Sequence, residues 1–208
     1  MKSSNYKLGE LFILFVLFPI SLVLDYAIWI KFILGILGFV YVVFILIRVE
    51  KSSLKIRKDI NWKLFWQRTL VKLMLITVLT TAFVWFTDKE NLFLVVRTKP
   101  LFWVFILFIY SLFSVYPQEV LYRTFFFQRY ESLFADNRLF LFVNAIVFSL
   151  GHLFFKNTLV LVITFLGGLL FALTFKKTRS TFLVSLEHAI YGCWLFTVGM
   201  GEMLGFPS

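Results

Sequence analysis

Long apolar runs set off by short charged clusters define this chain: residues 11–24, 32–47, 73–86, 101–115, 139–155, 158–175 and 181–186 contain no Asp, Glu, Lys or Arg. With its flanks, each run extends toward the roughly 20 residues that a helix needs to cross a bilayer core. The pattern predicts an all-α, polytopic membrane protein of about seven transmembrane helices. The first run follows Lys2 and Lys7 but continues through DYAIWIK into the next apolar segment. With no small-residue cleavage site, it reads as an uncleaved anchor.

Composition strengthens that reading. Of 208 residues, 61% are hydrophobic, 21% are aromatic, 29 are Phe and only 15% are charged. That is more apolar surface than one soluble core could hide. No internal repeat or low-complexity tract interrupts the chain. Its longest polar stretch, Arg48 to Lys72, is too short and too laced with Trp62, Phe65 and Trp66 to fold alone, so it is expected along the membrane surface. By motif content the chain divides into residues 1–100, transmembrane helices plus this basic segment, and residues 101–208, a helix bundle holding the candidate site. Cys193 is the sole cysteine, which excludes an intrachain disulfide.

A net charge of +10 raises the question of nucleic acid, and the placement of the charge answers it. With seven spans, sixteen of the 21 Lys and Arg fall on the side of the N-terminus and five on the other. This asymmetry predicts a cytoplasmic N-terminus and an external C-terminus in an integral protein of the bacterial cytoplasmic membrane. The basic side then faces anionic headgroups of the bilayer, and no nucleic-acid partner is expected.

One stretch breaks the apolar pattern in a chemical way. In YPQEVLYRTFFFQRY, residues 116–130, a proline is followed at once by Gln118, Glu119 and Arg123. Glu119 and Arg123 are four apart and share a helix face, where the Arg can hold the carboxylate. Pro117 lacks the N–H that would bond to the carbonyl of Phe113, so a bend is expected one turn before Glu119, with room for a buried water. If the helix continues through Tyr130 and returns from Leu139, Glu119 and His152 both lie roughly 17 to 20 Å from the turn, at 1.5 Å per residue. His188, eight residues past Ser180, lies roughly 12 Å inward from the same side. Both histidines of the chain thus fall near the depth of Glu119. A charged side chain in lipid costs at least about 2.5 to 3.5 kcal/mol, so these groups are expected to point into the helix bundle.

These residues resemble a known family. QEVLYR at 118–123, FSLGH at 148–152 and HAIYG at 188–192 are similar to the three motifs of the CPBP family, the membrane CAAX proteases and bacteriocin-processing enzymes, which read EExxxR, FxxxH and HxxxN in this order. The resemblance covers about residues 101–200. It implies an intramembrane endopeptidase that cleaves a membrane-associated peptide or protein. Glu119 matches the second glutamate of the first motif and Arg123 its arginine; Phe148 and His152 match the second motif, and His188 the histidine of the third. The resemblance implies that Glu119 and His152 activate a water and that His188 stabilises the oxyanion. A carboxylate and an imidazole flanking one water form a workable general-base pair.

Two positions depart from the family pattern. Gln118 stands where the first glutamate is expected, and an amide cannot take a proton. Gly192 stands where the third motif has Asn, leaving the oxyanion site one donor short. The alternative is therefore a catalytically silent relative acting as an immunity or scaffold protein. A small transporter is disfavoured because paired, broken helices in two halves are absent from the sequence. No metal cofactor is expected, since HExxH is absent; the minority arrangement is zinc on His152, His188 and Glu119. Glu187 points about 100° away from His188 around the helix and reads as a secondary polar contact. Gly167 and Gly168 read as a close-packing surface, and Cys193 does not share a face with His188.

Overall fold

The structure is a computed structural model and describes residues 3–51 and 60–204. Seven principal helices are labelled here α1 (residues 4–21), α2 (Ile28–Val49), α3 (Trp62–Thr87), α4 (Pro100–Leu133), α5 (Asn137–Phe155), α6 (Thr158–Thr178) and α7 (Thr181–Met200). Among the described residues, six of them, α2 to α7, are long and apolar enough to cross a membrane. The helix built on the first apolar run, α1, is not one of the six. It carries Lys7 and Glu10 in its first turns, which dilutes its apolar character.

Polar side chains fix where the helices start. Ser3 caps α1 by accepting from the Tyr6 amide, Asn61 caps α3 from Leu64, Asp136 caps α5 from Arg138, and Asn157 caps α6 from Leu159 and Val160. Each satisfies an amide that a helix start leaves without an intrahelical partner. Arg179, in the left-handed conformation at φ 49°, ends α6. Part of the expected surface segment, residues 52–59, lies outside the described residues; Arg48 sits in the last turn of α2 and Trp62–Lys72 form the start of α3.

Large apolar side chains are left exposed while several charged ones are buried beside an apolar core. Leu101 is 86% and Phe86 84% exposed, whereas Glu119, Arg123, Arg129 and Glu187 are all at 0%. An outer surface of bare leucine and phenylalanine around buried charges suits hydrocarbon as solvent, where polar groups must find partners inside. The protein is an integral membrane protein.

Two compact units divide the chain, and they are interleaved in sequence: Met1–Lys55 with Gln118–Thr181, and Ile56–Pro117 with Phe182–Ser208. Packing and motif content thus divide the chain along different lines. The first unit is organised around Phe15 of α1, whose ring meets Tyr122, Phe126 and Tyr130 of α4 edge-on at 5.1 to 6.0 Å. Phe140 of α5 continues this aromatic layer against Phe126 and Phe127. Beyond it, Gly168 of α6 lies on the backbone of α5: a Cβ there would meet the Ala145 Cα at 3.0 Å and its carbonyl oxygen at 3.2 Å. Gly168 therefore sets the close approach of α5 and α6, while its neighbour Gly167 faces only the ring of Phe171. At one end of the unit, Arg129 is held by Glu10 at 2.7 Å and Glu50 at 2.8 Å, with the Tyr130 hydroxyl donating to Glu10. Asp25, just past α1, pairs with Lys156, just past α5, so α1 runs alongside α5.

In the second unit, α3 and α7 are joined by hydrogen bonds. The Trp194 indole donates to Thr80 at 2.9 Å, and the Tyr191 hydroxyl reaches the Thr69 carbonyl at 3.1 Å. Near the other end, the Trp103 indole of α4 donates to Thr197 of α7 at 3.0 Å.

Candidate functional site

Pro117 sits in a single α-helical turn, Tyr116–Glu119, with wider π-helical turns on both sides, Tyr110–Val115 and Val120–Phe125. A missing proline N–H is accommodated by widening the helix, and such π-turns recur at functional sites. The expected bend thus takes the form of two bulges within one helix that continues to Leu133.

Glu119 follows the proline at full burial, and the Arg123 Nε lies 3.4 Å from its Oε2. The Arg123 guanidinium then lies 4.6 Å from the centroid of the Phe148 ring and 5.7 Å from that of Phe171, with Nη2 3.5 Å from the Gly168 carbonyl. A cation over an aromatic face gains about 0.5 to 2 kcal/mol, toward the upper end where it is desolvated. Phe148 also holds the next member of the set. Its ring centroid is 4.9 Å from that of His152, and His152 Nδ1 lies 2.8 Å from its carbonyl oxygen. Glu119, Arg123, Phe148 and His152 therefore form one continuous series of contacts from α4 to α5. The spacing of the second motif has a physical reason: one Phe supports the Arg on its ring and the His on its carbonyl.

That carbonyl also determines the histidine's chemistry. A carbonyl oxygen only accepts, so Nδ1 carries the hydrogen and Nε2 is the basic nitrogen of the neutral ring. His152 stands just past the last α-helical turn of α5, after Gly151. A Cβ on Gly151 would overlap the Tyr122 hydroxyl, so glycine lets α4 press against the base of the histidine. Asn144, fully buried one turn before Phe148, donates to the Tyr122 carbonyl at 2.7 Å within the π-turn of α4. Gln118 is half-buried beside Glu119.

His188 belongs to the second unit, where it is 6% exposed on α7. Its ring meets Tyr110 edge-on, with centroids 6.2 Å apart and planes at 80°. Glu187 is fully buried, pairs with Lys72 of α3 and accepts from the Tyr191 hydroxyl at 2.8 Å. Cys193 lies 3.6 Å from the Ser111 hydroxyl. Among the described residues, no three His, Cys, Asp or Glu side chains gather closely enough to hold a metal ion.

Of the residues singled out in the sequence, Gln118, Glu119, Arg123, Phe148 and His152 fall in the first unit, where the last four are in contact, and His188 falls in the second. Asn144, Tyr110 and Lys72 were not singled out, and Glu187, read as a secondary polar contact, pairs with Lys72 and Tyr191. The available signal for Asn144 was a lone amide inside an apolar run; Lys72 resembled the other cations of a basic segment.

The fold and these residues define a class: a helical membrane protein with a buried carboxylate and arginine and a half-buried imidazole in series. Residues 100–194 match the protein family described as Type II CAAX prenyl endopeptidase Rce1-like. Over this segment, a little under half of its length, the chain is similar to the CAAX protease family. No curated protein and no solved structure matches it.

Proposed function

We propose that the chain is an intramembrane endopeptidase that hydrolyses a peptide bond of a membrane-associated protein or peptide. The observation that carries this reading is the contact series Glu119, Arg123, Phe148, His152, buried as far as Phe148 and half-buried at the histidine. Glu119 and His152 Nε2 share the proton of an attacking water, and Arg123 holds the carboxylate in position. His188 donates to the oxyanion that forms on the scissile carbonyl, an interaction whose loss typically costs about 10² to 10³ in rate. The chemistry assigned to these residues uses water and no metal. The basic face of the protein lies toward the cytoplasm, with the N-terminus there and the C-terminus outside.

The test is cleavage of a prenylated, membrane-inserted peptide by the purified protein in liposomes. Glu119→Gln keeps the shape of the side chain but cannot accept a proton, so cleavage should be lost with the fold intact, as judged by thermal unfolding. His152→Ala should also abolish it. Full activity in Glu119→Gln would reduce the carboxylate to a structural partner of Arg123.

Gln118 favours a second reading, in which the chain keeps the scaffold and acts as an immunity or scaffold protein without proteolysis. Gln118→Glu separates the two. Under the protease reading the wild type already cleaves and the variant equals or exceeds it; under the second, the wild type is inert.

A further inference from the structure

We propose that the hydroxyl of Tyr110 takes the place of the missing third-motif asparagine and acts as the second oxyanion donor. This rests on the protease reading above. The inference starts from the space around Gly192. A Cβ added there would overlap the Tyr110 hydroxyl and lie 2.5 Å from the ring Cζ and 2.6 Å from Cε1. The position from which an asparagine side chain would grow is therefore filled by a phenol, and the glycine is what admits it.

The phenol also meets the other half of the motif. His188 and Gly192 are four apart on α7, so they share one helix face. Tyr110 packs edge-on against the His188 ring and reaches Gly192 with its oxygen. The aromatic ring thus covers one turn of α7 and delivers its hydroxyl to the next. A phenol O–H is a hydrogen-bond donor, as is the amide N–H of asparagine, and tyrosine side chains serve as oxyanion donors. Tyr110 opens the π-helical turn Tyr110–Val115, a local widening of α4. Chemically, the hydroxyl keeps its proton and donates it as a hydrogen bond while the carbonyl oxygen gains charge; no bond to Tyr110 forms or breaks.

The experiment compares wild type, Tyr110→Phe, Tyr110→Ala, Tyr110→Ala with Gly192→Asn, and Glu119→Gln in the liposome cleavage assay. Thermal unfolding of each variant reports the fold. Tyr110→Phe, which removes only the oxygen, should lower kcat by about 10² to 10³ with KM little changed. Tyr110→Ala should be equally impaired. Adding Gly192→Asn to it should recover cleavage, because the amide then grows into the vacated space. A tyrosine that serves only to pack would give neither the loss in Phe nor the rescue by Asn. Glu119-dependent cleavage with Tyr110→Phe near wild-type kcat would overturn this inference and leave the protease reading standing. Absence of Glu119-dependent cleavage would overturn both.

Discussion

Phe148 shows how a residue without reactive chemistry can govern two that have it. Its ring carries Arg123 and its carbonyl orients His152, so the motif phenylalanine joins the arginine to the histidine rather than merely filling space. Gly151, next to the histidine, serves the same joint. An alanine there would bring its methyl onto the Tyr122 hydroxyl and within 3.2 Å of the Phe148 carbonyl. Overpacking of this kind costs about 1 to 3 kcal/mol. Gly151→Ala should therefore lower the unfolding midpoint and reduce cleavage together, and Tyr122→Phe in the same chain should recover part of both. Unchanged stability in Gly151→Ala would show that the histidine end of α5 is looser than its packing indicates.

Buried charges tie several helices of this protein together. In the first unit α1, α2 and α4 converge on Arg129, whose guanidinium is fully buried against Glu10 and Glu50. Two carboxylates around one cation are stable only while the cation is present. Removing one partner of a buried ion pair costs about 3 to 5 kcal/mol, because the remaining charge is left uncompensated. Arg129→Ala should thus destabilise the protein by that order in detergent unfolding, and adding Glu10→Gln should return part of the loss. Equal stability of the single and double variants would mean that the carboxylates find other partners. By contrast, the contact of Arg179 with Glu131, at 2.7 Å on both arms, is part-exposed and should contribute little.

Across the described residues, many large apolar side chains are exposed while several charges are buried, and the number of crossings decides how that surface is oriented. The division of basic residues, sixteen against five, holds only if α1 crosses together with the six longer helices. Reporters fused to the N-terminus and after Ser208 should then read on opposite sides of the membrane, cytoplasmic and external respectively. Reporters on the same side would leave α1 as a helix that packs against α5 without crossing.

The sequence alone determined the membrane class, the approximate helices and the three motifs. These depend on properties that run along the chain: the length of an apolar run against the thickness of a bilayer, and the i, i+4 spacing that puts Glu119 beside Arg123. Even the helical hairpin of α4 and α5 was legible, because both strokes are continuous and a short turn links them. Partner choice was not legible. Glu10 and Arg129 are 119 residues apart, and Lys72 and Glu187 are 115 apart. Nothing in local spacing marks a lysine in a basic segment as the counter-charge of a glutamate on another helix. The role of Gly192 was hidden for the same reason. In sequence it is a missing asparagine; only the tertiary structure puts the Tyr110 hydroxyl where the side chain would have been, because steric exclusion is decided by atoms that meet in space.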